Sequence, residues 1–424
     1  MAWKETCVMD EKMCFVAACL AGSESISELC RHFGISRKTG HKWLARYHSG
    51  GIIGLEDRSQ APHSNSRAVD PETIDEVIAV RNAFPTWGPR KVLAHLLDKY
   101  PERAWPAAST IGNLFDRAGL TKPRKKRRRT PPQSFPFQAV RSPNDTWCID
   151  FKGWFLTGDG THVEPLTISD AHSRYLITCE PVGKTDEAHV WPILDRALRE
   201  HGLPHAMRSD NGPPFAGRGV AGLSRLAVKL IKAGIWPERI APGKPQQNGR
   251  HERMHLTLLQ DTASPPARSL ADQMRRFQRF MAIYNNERPH EALGQIPPAR
   301  IYRPSSRFYD GVLRSPEYGD DAKIRNVRRK GEVKWKGSHV FVSEVLAGEP
   351  VGLFRIGDDT WLVKYGPVVL GTVKGWGKLV RIKPARARSG PPKERPAFHS
   401  PPPPLARTGR ASDGGSEGKA LRAP

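Results

Sequence analysis

Apolar residues recur at helical spacing between positions 10 and 21, at Met13, Val16, Ala17 and Leu20, and Gly22 ends the run. Ser25 and Glu28 then stand three apart, a capping-box pair able to satisfy two orphan amides at a helix start. The helix behind them turns Leu29 and Phe33 inward and stops at Gly34. Ser36 opens another helix over 37–47, with Trp43, Leu44 and Tyr47 on one side. Its other side presents Arg37, Lys38, His41, Lys42 and Arg46. Two short helices joined by a glycine-containing turn, the second basic outside, predict a helix-turn-helix over 1–58 whose five basic side chains meet DNA. The blander alternative is a three-helix bundle with a solvated charged face.

A linker follows at Gly50-Gly51 and 59–66, then a second helical unit over 67–120 with helices at 71–84, 88–100 and 109–118. Ser109 and Thr110 are expected to cap the last helix, whose exposed face is less basic. From Pro143 the pattern alternates between period 2 and period 3.6, predicting an α/β core over 143–305. A strand is expected at 145–156, and a hairpin of 162–168 with 174–181. A helix at 185–202, a short strand at 205–209, and helices at 221–233, 246–259 and 269–285 follow. Short strands at 331–342, 350–356, 360–365 and 368–373, broken by Gly and Asp, predict a small β-barrel or sandwich over 320–384. Proline, serine, arginine and glycine dominate 385–424, which is expected to be a disordered basic tail. The fold class is therefore multidomain: all-α helix-turn-helix modules, a central α/β core and a small C-terminal β-barrel.

Composition points to the partner. Lysine and arginine outnumber acids 67 to 43 in 424 residues, a net charge of +24 that favours a polyanion. No run of about 18 apolar residues is present and Met1–Glu5 is no signal peptide, so a cytoplasmic, nucleoid-associated protein without a membrane partner is expected. The six cysteines form no C-x-x-C pair, which disfavours a disulfide framework or a zinc knuckle. Within a linker over 121–142, Arg124, Lys125, Lys126, Arg127, Arg128 and Arg129 would contact phosphates without reading sequence. A nuclear-localisation signal would have the same composition.

Candidate chemistry centres on His251-Glu252-Arg253-Met254-His255. As H-E-x-x-H on a helix, it offers zinc two histidines, with Glu252 as a protease base. Against that, Arg250 and Arg253 flank Glu252 and no third-ligand motif follows, leaving His251 and His255 as an expected helix-surface pair. The rival arrangement joins Glu252 to two aspartates. Asp150 interrupts an apolar strand, where an ion is costly to bury unless paired or metal-bound. Asp210 ends a short strand before Asn211-Gly212, at the edge where α/β sheets gather ligands. Asp170 is a rival ligand, read here as a turn residue, and Asp210-Asn211-Gly212 could itself be only a turn. Three carboxylates are hard oxygen donors suited to Mg2+, and two such ions support in-line phosphoryl displacement.

Four ordered stretches carry a family resemblance: Asp150 to Trp154, Asp210 to Phe215, Pro242 to Arg253, and Tyr284 to Leu293 followed by Pro297-Pro298-Ala299. Over roughly 10–310 the chain resembles bacterial insertion-sequence transposases with a retroviral-integrase-type core of the RNase H-like fold. That resemblance implies that Asp150, Asp210 and Glu252 are catalytic residues holding two Mg2+ ions, with Mn2+ a possible substitute. It implies cleavage at transposon ends and joining of a 3′-hydroxyl to target DNA, by a homo-oligomer on double-stranded DNA. Gln246, Asn248, Gly249 and Arg250 would lie beside the DNA end. Leu256 and Leu259 depart from the pattern, since basic side chains often grip the DNA end there. The function alternative from another class is a DNA-binding regulator that retains an inactive core.

Overall fold

The computed structural model describes residues 7–57, 69–121, 140–217, 219–240 and 249–380. The basic block 122–129, the tail, Gln246 and Asn248 lie outside the described residues, as does the side chain of Arg250. The chain divides into two compact units, Met1–Asp70 and Pro71–Pro424.

In the first unit, α1 (Val8–Ala21), α2 (Ile26–His32) and α3 (Arg37–Gly50) close around Phe15, Val16, Leu29, Cys30, Trp43, Leu44 and Leu55. The capping box forms: the Ser25 amide donates to Glu28 Oε2 at 3.0 Å and the Glu28 amide to Ser25 Oγ at 3.3 Å. Gly40 is where α3 meets its neighbours, because a Cβ there would lie 2.4 Å from Cys30 Sγ and 2.9 Å from Phe15 Cζ. Gly40→Ala is expected to destabilise this unit by about 1–2 kcal/mol, overpacking outweighing the gain in helix propensity. Thermal unfolding followed by circular dichroism checks it; an unchanged first transition would mean that the core gives way freely.

The second unit begins with α4 (Pro71–Ala83), α5 (Pro89–Lys99) and α6 (Ala108–Arg117), packed around Val77, Trp87, Val92, Leu96, Ile111, Leu114 and Phe115. Ser109 and Thr110 do not cap α6 as expected. The helix starts one residue earlier, with Ala107 at the cap position and no side-chain acceptor there.

The central sheet contains β1 (Thr146–Phe151), β2 (Phe155–Leu156), β3 (His162–Asp170), β4 (Leu176–Val182), β5 (Ala206–Ser209) and β6 (Trp236–Arg239). Spatially β4 flanks β3, then come β1, β5 and β6, with β2 pairing the first residues of β3. β1, β5 and β6 are mutually parallel, and β3 runs antiparallel to both β1 and β4. The expected strand over 145–156 breaks beyond Phe151, where Gly153 takes a φ of 83°. β6 escaped the sequence reading because Pro237 sits in it, a residue tolerated on such an edge strand. Strand alternation divides the sheet's side chains. Trp147, Ile149, Leu166 and Ile168 pack with α7 (Glu187–His201) and α8 (Arg225–Lys232). The opposite face packs against α9 (Gly249–Thr262) and α10 (Leu270–Asn286), through Val163, Leu176, Cys179, Met254, Leu258, Phe277, Phe280 and Tyr284. Asn285 pins α10 to β4: it accepts from the Leu176 amide and donates to the Leu176 carbonyl, both at 2.8 Å.

The C-terminal strands do not close into the expected barrel. β7 (Ala322–Asn326), β10 (Pro350–Arg355), β11 (Thr360–Tyr365) and β12 (Val368–Lys374) form an open antiparallel sheet ordered β12-β11-β10-β7. β8 (Glu332–Trp335) and β9 (Ser338–Phe341) form a separate hairpin, turning at Lys336 and Gly337 with φ of 46° and 87°. With two strands diverted into the hairpin, four remain, too few to curl into a closed cylinder. The hairpin instead stacks Val333, Trp335 and Val340 on Leu353, Trp361 and Val363. Among the described residues no helix is long and apolar enough to cross a membrane.

Candidate active site

Asp150 lies near the end of β1, half-buried, on the face that α9 covers; its Oδ1 accepts from the Phe151 amide at 2.9 Å. The parallel register pairs Cys148 with Arg208. Asp150 lies two residues beyond Cys148, and Asp210 two residues beyond Arg208, just past the end of β5. Asp210 is half-buried, and its Oδ1 accepts from the Gly212 amide at 3.1 Å. Asn211 holds this turn by donating to the Ile240 carbonyl at 2.8 Å. The charge of Arg208 is met across the strands by Glu238 at 2.9 Å.

Glu252 occupies the first turn of α9 and is exposed. What positions it is the inner side of that helix. His251 and His255 are buried, 2% and 6% exposed, so the expected surface pair is corrected. Both Nε2 atoms lie 2.7 Å from Thr167 Oγ1, and His251 Nδ1 lies 3.1 Å from Ser169 Oγ. Thr167 is the cross-strand partner of Asp150 and donates to its carbonyl at 3.1 Å. Helix α9 is thus fastened across the sheet beside Asp150. Among the described residues, the histidine, cysteine and carboxylate groups close enough to share one ion are Asp150, His251 and His255, whose ligand atoms lie within 4.8 Å of one another. Asp210 and Glu252 fall outside that set. Thr167 and Ser169, two polar residues at alternate positions of β3, were the sequence signal for this inner contact.

Burial pushes the His251 imidazole down to about 3 and that of His255 to about 2; His290, half-buried, is pushed to about 3 by desolvation and the nearby Lys91 and Arg288 charges. These folded values lie below the unfolded one, so the unfolded chain takes up protons that the fold refuses. Stability is therefore complete above about pH 6.5 and falls as pH drops below it, by up to about 1.4 kcal/mol per pH unit for each histidine. Urea midpoints measured from about pH 7 to about pH 5.5 should decline steadily, and His290→Gln should lessen the decline.

Asp170, the rival ligand, is fully buried. It accepts from the amides of Asn144 and Ser173 at 2.8 and 2.7 Å and from Ser173 Oγ at 2.6 Å, which is the work of a turn residue. In the first unit, Arg37, Lys38, His41 and Lys42 are exposed along α3, while Arg46 is half-buried 5.0 Å over Trp43. Gly249 opens α9. Leu256 is 52% exposed on the Glu252 side of the helix, and Leu259 is half-buried.

Integrase core domain models match residues 140–245 and 233–298, a helix-turn-helix domain model matches 11–63, and a homeodomain-like domain model matches 39–115. The chain is 29% identical over 199 residues to a 39.2 kDa protein of insertion element IS476 from Xanthomonas euvesicatoria, covering 45% of this chain and 54% of that protein. The chain thus spans about half the length of that relative. A 31.7 kDa protein of insertion element IS407 from Burkholderia multivorans is 28% identical over 238 residues, covering 54% of this chain and 82% of the relative. Among solved structures, the HTLV-2 integrase catalytic core domain in complex with magnesium matches 38% of this chain and 98% of its own, at 15% identity and a TM-score of 0.28. The chain carries helix-turn-helix domains ahead of an integrase core and is similar to proteins encoded by bacterial insertion elements.

Proposed function

We propose that the chain is a DNA transposase that cleaves at transposon ends and joins the freed 3′-hydroxyl to target DNA, with Asp150, Asp210 and Glu252 as its catalytic carboxylates. The observation that carries this reading is that Asp150, near the end of β1, and Asp210, just past the end of the parallel neighbour β5, lie at one edge of the sheet, beside a helix that presents Glu252 and is fastened to β3, the strand next to Asp150. The donor set fits magnesium, since all three groups are hard carboxylate oxygens and two are only half-buried, leaving room for the ion's waters. Magnesium bound there would activate the attacking hydroxyl and offset charge on the phosphate and leaving oxygen. The protein's own part is to fix the two aspartates through the sheet and the glutamate through α9, so that the reacting groups meet in line.

The remaining modules supply DNA binding in this scheme. Arg37, Lys38, His41 and Lys42 on α3 would read the terminal repeats, with Arg46 beside them. The basic block Arg124 to Arg129 would follow phosphates. Gln246, Asn248, Gly249 and Arg250 would sit at the DNA end. Synapsis of two ends requires at least a dimer. The helical, core and C-terminal domains would follow the limits expected from sequence, in a cytoplasmic, nucleoid-associated protein.

Strand transfer of a labelled transposon-end duplex in magnesium tests the scheme. Wild type should give joined product and Asp210→Asn essentially none. Equal and negligible product from both would leave a DNA-binding regulator with an inactive core. Leu256→Lys adds a phosphate contact at an exposed position of α9. It should tighten end binding at low salt and steepen the fall of log affinity with log salt by about 0.9. Gel shifts across a salt series measure that slope.

A further inference from the structure

The H-E-x-x-H histidines have no part in the proposed magnesium chemistry, yet they converge on one of its carboxylates. We propose that Asp150, His251 and His255 form a binding site for a borderline transition-metal cation, with zinc the ion of choice, overlapping the magnesium site at Asp150 alone. The two imidazoles stand one turn apart on α9, and both Nε2 atoms aim at a single point, the Thr167 hydroxyl 2.7 Å from each. Asp150 comes from β1 opposite them, and the three ligand atoms already lie within 4.8 Å of one another. Zinc at about 2.0–2.1 Å from nitrogen and oxygen holds its ligands roughly 3.3 Å apart, so shifts of about 1 Å complete the set. Two imidazoles with one carboxylate form a donor set that zinc takes readily and that magnesium, which prefers an all-oxygen shell, does not. Ser169 Oγ, 3.1 Å from His251 Nδ1, supplies the outer hydrogen bond that orients a metal-binding ring. A rotation of Thr167 about its Cα–Cβ bond clears the centre or turns its hydroxyl toward the fourth position.

The helix motif thus finds its third ligand on a strand a hundred residues earlier in the chain, not downstream as in a protease. The site shares only Asp150 with the proposed magnesium pair. On the transposase reading, zinc held here takes Asp150 from magnesium and so suppresses strand transfer, an effect that a zinc-selective chelator reverses in excess magnesium.

Zinc binding to the full-length chain tests the proposal without reference to catalysis. Competition against a chromophoric chelator should give one zinc per chain. Affinity should fall at least tenfold in His251→Ala, His255→Ala and Asp150→Asn. It should stay unchanged in Glu252→Gln and Asp210→Asn, which remove magnesium ligands only. Cobalt in place of zinc should give the visible absorption of a four- or five-coordinate nitrogen–oxygen set in the wild type, lost in Asp150→Asn. Circular dichroism shows whether the histidine variants fold; where one does not, Asp150→Asn and the cobalt spectrum decide. Zinc affinity indifferent to the two histidines and Asp150, or lost equally with Glu252→Gln, overturns the proposal. Failure of strand transfer with zinc binding intact would count against the transposase reading alone.

Discussion

Asp150→Asn is expected to lower magnesium-dependent strand transfer by about a thousandfold or more while the protein stays folded and bound to DNA. Removing one oxygen ligand forfeits several kcal/mol of charge stabilisation at the phosphate, and each 1.36 kcal/mol is tenfold in rate. The exchange is nearly isosteric, and Asn Oδ1 can still accept the Phe151 amide that Asp150 Oδ1 accepts now. The fold should therefore lose little, and end binding, assigned to other modules, should be retained. Groups acting as one unit are not additive. Asp150→Asn combined with Asp210→Asn should be hardly slower than either alone. A multiplicative loss in the double variant, measured as initial joining rates, would show that the two aspartates do not serve a common centre.

Asp170→Ala should have the opposite profile, a large loss of stability. Its carboxylate, fully buried, holds the amides of Asn144 and Ser173 and the Ser173 hydroxyl. Truncation leaves these donors buried without an acceptor, a penalty of about 1–3 kcal/mol for each unsatisfied group and roughly 3–5 kcal/mol together. Chemical denaturation should register it as a lower midpoint with a similar slope. Little destabilisation with abolished joining would instead return Asp170 to the list of metal ligands.

Local rules carried the sequence reading furthest where one stretch of chain decides the outcome. The Ser25–Glu28 capping box forms because both partners and both amides sit within four residues. The alternation of β1 and β3 likewise marks which side chains face each way. Long-range decisions were harder to read. The inward turn of His251 and His255 depends on Thr167 and Ser169, more than eighty positions away, and without that contact the motif read as a helix-surface pair once a protease site was set aside. Closure of the C-terminal sheet depends on whether β8 and β9 join it, and the hairpin instead meets the sheet through an edge-to-face contact of Trp335 with Trp361 that is invisible in either strand. α6 starts one residue earlier than expected, after Ala107, which has no side chain able to cap it.

The division of α9 into a fastened inner side and an open outer side has a consequence for how such proteins diversify. Met254, His255 and Leu258 lock the helix against the sheet, while Arg253, Leu256 and Gln260 face solvent. Substitutions at the outer positions can accumulate without rotating the helix or displacing Glu252. On the proposed function, contacts with a DNA end can therefore change along this stripe while Glu252 keeps its place.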